Sequence, residues 1–166
     1  MTEIVAVSTW EQMQSVSRLA FRIWKEHYTP IIGQSQVDYM LGNLQTPEAI
    51  REQIREGYWY YLVYHQGREA GYLALKPEKD SAQLSKIYVI SDLRGLGLGR
   101  KALEHAQNVC LEAGLTRLWL TVNKNNHGAI SFYERTGFFN SGSVVQDIGG
   151  GFVMDGYKMV KSLSPG

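Results

Sequence analysis

The sequence predicts one α+β domain, a single mostly antiparallel sheet covered by helices on both faces. Segments read in the order helices, antiparallel meander, then strand–helix–strand–helix–strand–strand, a mixture that one such sheet accommodates. At 166 residues the chain suits one compact domain with a real core. No linker, low-complexity tract or repeat divides it, so residues 1–166 are read as one unit.

A short strand, Ile4–Val7, opens the chain, and Ser8-Thr-Trp-Glu11 reads as a capping box. Met13, Val16, Ala20 and Ile23 recur at helical spacing, predicting an amphipathic helix to about His27, broken by Pro30 and Gly33. Ser35 is the expected cap of a short second helix, Val37–Leu41. Thr46-Pro47 opens a third, which Gly57 closes. Tyr58–His65 reads as a buried strand, turned at Gln66-Gly67 into Ala70–Lys76. Leu84–Ile90 is a further strand and runs into a glycine-rich turn. The next helix is expected to bury Ala102, Leu103, Ala106, Cys110 and Ala113 and to stop at Gly114. Leu118–Val122 reads as a strand and Asn126–Thr136 as a short helix ended by Gly137. Strands near Phe138–Gln146 and Phe152–Lys161, joined through Gly149-Gly-Gly, finish the chain.

Composition narrows the function. A net charge of +1 gives no nucleic-acid footprint. Cys110 is the single cysteine, and no Cys/His cluster has metal-ligand spacing, so no metal is expected. His27, His65, His105 and His127 are scattered singly and read as surface or core residues. The start, Met1-Thr-Glu-Ile-Val, lacks the basic and apolar pattern of a signal peptide, and no apolar run approaches membrane-spanning length. A soluble cytoplasmic protein is the simplest expectation. Ten tyrosines and four tryptophans fit either a pocket lining or packing on strands.

The most informative segment is Arg94-Gly95-Leu96-Gly97-Leu98-Gly99-Arg100, between a strand and a helix. Glycines there allow positive φ and close backbone approach. Successive N–H groups and the positive helix end favour an anion, and Arg94 and Arg100 suit a pyrophosphate. Neither familiar phosphate loop fits. No Gly-x-x-x-x-Gly-Lys-Ser/Thr run exists, and Gly95, Gly97 and Gly99 fall at offsets 0, +2 and +4 where a dinucleotide fingerprint needs 0, +2 and +5.

Arg94, Gly97 and Gly99 resemble the Arg/Gln-x-x-Gly-x-Gly/Ala cofactor motif of the GNAT superfamily of N-acetyltransferases. Upstream, Leu84-Ser-Lys-Ile-Tyr-Val89 is similar to the strand that pairs with the pantetheine arm in that superfamily. Downstream, Leu118-Trp-Leu-Thr-Val122 and Asn126 to Phe138 resemble its second signature. The resemblance implies a GNAT-like sheet with a parallel strand pair splayed near Val89 and Trp119. It implies acetyl-CoA as co-substrate, bound by about residues 82–166, with an acceptor-shaping half at about 1–76.

The same resemblance implies roles. The backbone around Ile87, Tyr88 and Val89 would meet the pantetheine arm, and the turn Arg94–Arg100 the pyrophosphate. Asn126 would hydrogen-bond the arm. Tyr133, which shares a helix face with Asn126 and Ile130, would be the general acid at the sulfur. Arg135 is left between the adenosine 3′-phosphate and solvent. Many relatives carry a glutamate on the strand before the turn, where this chain reads Ser85-Lys86; a water relay, or one of Tyr28, Glu26, Asp38 and Asp155, would have to act as base instead.

Direct transfer in a ternary complex is expected, because Cys110 falls on the apolar stripe of a helix and suits an acyl carrier poorly. Trp24 and Tyr28 are the candidate acceptor contacts. Ile23-Trp-x-x-x-Tyr28 and the run Gly151 to Lys161 are also loosely similar to bacterial spermine and spermidine acetyltransferases, which would make the acceptor a polyamine or other small amine. A non-catalytic acyl-CoA sensor and a protein or peptide acetyltransferase stay open as alternatives, as does a homodimer through the final strands.

Overall fold

The computed structural model describes residues 1–164, without the side chain of Lys86; Pro165 and Gly166, the end of the expected domain, lie outside the described residues. The elements are β1 (Thr2–Ala6), α1 (Trp10–Ile32), α2 (Gln34–Leu44), α3 (Pro47–Arg55), β2 (Trp59–His65), β3 (Arg68–Pro77), β4 (Ser81–Val89), a 3₁₀ turn (Ser91–Leu93), α4 (Leu98–Glu112), β5 (Arg117–Asn123), α5 (His127–Arg135), β6 (Phe139–Gly149) and β7 (Phe152–Ser162). Among the described residues the strands form one sheet in the order β1-β2-β3-β4-β5-β7-β6. Its neighbours are antiparallel except for β4 and β5.

Several helix boundaries differ from the sequence-based expectation for local reasons. The capping residue of α1 is Thr9, not Ser8. Its Oγ1 accepts from the Gln12 N–H at 3.2 Å, while Gln12 Oε1 accepts from the Thr9 and Ser8 N–H groups at 2.9 and 2.7 Å, so Gln12 takes the place expected of Glu11. α1 also runs past His27 to Ile32, through Pro30. Proline removes one ladder bond but keeps a helical φ, and the turn ends only at Gly33, where φ is 87°. Gly33, rather than Ser35, then precedes α2, which is longer than the expected Val37–Leu41. Ala113 is exposed, not buried, because it lies past the last turn of α4. The third helix starts as read: Thr46 accepts from the Ala49 N–H at 3.1 Å with Pro47 at the first position.

The core has two layers, one on each face of the sheet. One packs α4 against strand residues such as Leu73, Leu75, Leu118 and Met159; the other packs α1, α2 and α3 against Tyr60, Leu62, Tyr72 and Ile90. Helices therefore cover both faces, as the element order implied.

The feature that builds the site is a gap in the sheet. β4 and β5 pair only over Ser81↔Arg117, Ala82↔Leu118 and Gln83↔Trp119, and beyond that they diverge. The split thus begins at Gln83 and Trp119 and leaves Val89 on the cavity wall. The register explains why. Leu84 pairs with Leu75 and Lys86 with Ala74, so Ser85 is an extra residue, a bulge that bends β4 and shifts its alternation. Ala82 and Leu84 lie in the α4 layer before it; after it Ile87 and Val89 pack there, while Tyr88 and Ile90 join the α1 layer. Two glycines hold the diverging strands to their outer neighbours. A side chain on Gly71 would collide with the Tyr88 carbonyl, and one on Gly156 with the Val122 carbonyl.

Candidate active site

Where β4 and β5 separate, a cavity of about 560 Å³ opens between the sheet, α1, α2, α5 and the β6–β7 hairpin. Its walls include Trp24, His27 and Tyr28 of α1, Ser85 to Val89 of β4 apart from Lys86, and Asn126, Phe132 and Tyr133 around α5. Arg94 and Gly99 border it from the glycine turn.

α5 begins at Asn126, which is 3% exposed. Its Oδ1 accepts from the Ala129 N–H at 3.4 Å, capping the helix, and lies 3.2 Å from His27 Nε2. An amide oxygen only accepts, so His27 Nε2 carries the proton and Nδ1 is left with a free lone pair. Burial pulls the His27 pKa below its ordinary value of 6.5, against the Asn126 hydrogen bond that raises it, and the Arg94 charge lowers it further. His27 is therefore neutral at pH 7, a base beside the cavity. Tyr28 OH lies 3.0 Å from Tyr88 OH, and burial raises both phenols. Tyr133 is buried, and desolvation together with the nearby Tyr28 holds its hydroxyl protonated well above the usual tyrosine value.

The glycine turn is arranged as read from the sequence. Gly95 and Gly97 adopt positive φ, 83° and 76°, conformations that a side chain would strain. Gly97 caps α4 with no side chain of its own, so the first N–H groups of α4 have neither an intrahelical nor a side-chain partner. Arg94, Gly95, Leu96, Gly97 and Arg100 are exposed around this helix end. Leu98 is not available through its side chain, which is buried against the α4 layer of the core.

These observations fit an acyl-CoA arm and its pyrophosphate. Among the described residues, the cavity-facing edges of β4 and β5 beyond Gln83 and Trp119 have no partner strand, and the Ser85 hydroxyl is buried beside the cavity without a hydrogen-bond partner. A buried orphan hydroxyl costs about 1–3 kcal/mol, which a bound polar group would offset. Among the described residues no group of His, Cys, Asp and Glu could hold a metal ion.

The structure brings Ile87, Tyr88, Val89, Asn126, Tyr133, Trp24 and Tyr28 to one cavity. Arg135 stays outside it, exposed, with Nη1 donating to Ser131 Oγ at 2.6 Å. Of the acids considered as bases, Glu26 is exposed and pairs with Arg22 and Ser91, Asp38 is exposed, and Asp155 pairs with Lys124; none lines the cavity. His27, read as a surface or core residue, lines the cavity and is among the residues that the sequence reading did not place there. Its signal was present: Trp24, His27 and Tyr28 stand at i, i+3 and i+4, one face of α1. Ser85 carried no signal, because its placement depends on the bulge.

Fold and site together define a single α+β domain whose sheet splits beside a cavity. The Acetyltransferase (GNAT) family model matches residues 18–138, and the chain belongs to that family. It is 36% identical over 87 residues to the 5-NmdU N-acetyltransferase of Pseudomonas phage PaMx11, covering 51% of this chain and 59% of that protein. It is 35% identical over 83 residues to the [ribosomal protein bS18]-alanine N-acetyltransferase of Escherichia coli K12, covering 50% and 56%. The chain thus spans less than two thirds of the length of these curated relatives. Among solved structures, the PaiA N-acetyltransferase of Thermoplasma acidophilum in complex with coenzyme A superposes with a TM-score of 0.79 over 98% of this chain and 99% of that one. At 22% identity this likeness bears on the fold alone.

Proposed function

We propose that the chain is an acetyl-CoA-dependent N-acetyltransferase that moves the acetyl group directly to a primary amine. The observation that carries this reading is the cavity at the β4–β5 gap, where neutral His27, Asn126 and Tyr133 meet beside the glycine turn. Acetyl-CoA supplies an activated acyl carbon: the amine nitrogen bonds to it, the carbon–sulfur bond breaks, and coenzyme A leaves as a thiol.

The residues divide the remaining work. The turn from Arg94 to Arg100 holds the pyrophosphate, and the backbone edge of Ile87 to Val89 that faces the β5 side of the gap holds the arm. Free alkylamines have pKa values near 10, so only about one molecule in a thousand is neutral at pH 7. His27 accepts the proton released by the attacking nitrogen through Nδ1, and Asn126 orients its ring through Nε2. Tyr133 faces the sulfur as donor and acid. Because its phenol is held above the ordinary range while a thiol sits near 8.5, its main contribution is a hydrogen bond to the departing sulfur. Buried Cys110, with its thiol pushed up to about 11, is a poor acyl carrier, which supports direct transfer.

The acceptor is an amine, and its body is the finer question. The looser resemblance to spermine and spermidine acetyltransferases rests on Trp24, Tyr28 and the final strand. The curated relatives are named instead for a ribosomal-protein alanine and for 5-NmdU. Thiol release from acetyl-CoA, assayed across amines including polyamines, an alanine-starting peptide and an amino-bearing nucleoside, tests the reading. Release with one acceptor class and none without acceptor supports transfer. Acetyl-CoA binding with no release for any class supports a sensor instead.

A further inference from the structure

We infer that the acceptor end of the cavity selects an amine on an apolar body that carries no second positive charge. The inference deepens the proposed transferase reading and rests on it. This end lies between α1, α2 and the β6–β7 hairpin, and its wall is built from Ile32, Met40, Leu44, Ile148 and Met154. Burying such side chains against a hydrocarbon body is favourable at roughly 25 cal/mol per Å². An ammonium placed there instead loses its hydration and needs an anion or several acceptors in return.

The anion is missing and acceptors at this end are few. Among the described residues, no aspartate or glutamate lines the cavity, and its one formally charged side chain is Arg94, which already depresses the neighbouring histidine. The polar groups at this end are largely committed to one another. Tyr28 and Tyr88 share a hydrogen bond, Asn126 serves His27 and the start of α5, and Gln36 Nε2 donates to the Val153 carbonyl at 3.4 Å. The aromatic rings near this end are packed against one another. Trp24, Tyr28 and Tyr88 pack on one another with centroids 5.7 to 5.9 Å apart, and Trp24 is 3% exposed.

The hairpin that completes this wall is fixed in place. Gly149 and Gly150 sit so close to Tyr39 of α2 that a Cβ on Gly150 would lie 2.6 Å from the ring, and Phe152 packs on the same ring at 5.4 Å. Ile148 and Met154 are therefore held against the cavity by the backbone that joins them.

The test compares two amines of equal length, hexylamine and 1,6-diaminohexane. Each is titrated by calorimetry into protein saturated with coenzyme A and assayed for thiol release with acetyl-CoA. Hexylamine is expected to bind at least tenfold tighter and to give a kcat/KM at least tenfold higher. Met40→Glu, which adds the missing anion, is expected to narrow or reverse that ratio. Equal or tighter binding of the diamine by the native protein overturns the inference, as does a ratio unchanged in a folded Met40→Glu protein. The two readings fail separately. A binding preference for hexylamine with no thiol release retains the selectivity and removes the transferase, whereas release that favours the diamine does the reverse.

Discussion

Replacing His27 with glutamine removes the free imidazole nitrogen while keeping a donor for Asn126 Oδ1, so the cap of α5 and the cofactor side of the cavity stay intact. Positioned general bases contribute typically 10²–10⁴-fold, and each factor of ten is 1.36 kcal/mol, so kcat should fall by about 3–5 kcal/mol equivalent. The loss of one part-buried hydrogen bond bounds the stability effect at about 1 kcal/mol, or roughly 2–4 °C in Tm at this size. Steady-state thiol release gives kcat, calorimetry gives the acetyl-CoA affinity, and the pH profile separates the role from a packing defect. His27 titrates below its ordinary 6.5 because burial and Arg94 oppose its charge, so the native kcat/KM should fall on the acid side with a midpoint below 6.5. In His27→Gln the added steepening below 6.5 should vanish, leaving only the slope that amine protonation, with a pKa near 10, imposes on native and variant protein alike. A variant with native kcat, or one that keeps the steepening, would refute the assignment.

Other predictions follow from neighbouring features. Tyr133→Phe should lower kcat and leave acetyl-CoA affinity nearly intact; an unchanged kcat removes Tyr133 from the leaving-group role. Cys110→Ser should keep full activity, and inactivity in a folded protein would favour an acyl-enzyme. Gly156→Ala should destabilise by about 1–3 kcal/mol, read in a thermal melt, because its methyl must push β7 away from the Val122 carbonyl. His27 and His105 both titrate below 6.5 in the folded chain, mainly through burial, so the unfolded chain takes up protons first as pH falls. Stability should therefore be highest above pH 6.5 and drop as pH passes below it. A double His→Gln variant with the same slope would contradict this.

Much of the fold was legible because its punctuation is local. Thr46-Pro47, Gln66-Gly67 and Gly114 mark boundaries through backbone chemistry that needs no tertiary context, and the glycine turn stands out by its resemblance to a known cofactor motif. Pro30 and Gly33 predict an end near His27, whereas Tyr28 and Ile32 pack on the core and carry α1 through the proline. Asn126 and Tyr133, which lie inside motifs, are singled out by the sequence and line the cavity; His27 is not singled out, because it meets Asn126 only once α1 crosses the N-terminus of α5. Ser85 and the hairpin wall of Ile148 and Met154 depend on a bulge and on a long-range contact with Tyr39, neither of which has a sequence period.

The central claim is that acetyl-CoA enters the β4–β5 gap with its pyrophosphate on the glycine turn. Amide hydrogen exchange with and without acetyl-CoA, on a sample whose binding is followed by calorimetry, tests it most directly. The account predicts saturable binding of one molecule per chain, with slowed exchange at residues 85–89 and 95–100. Absence of binding, or protection that appears elsewhere and spares both segments, would contradict it.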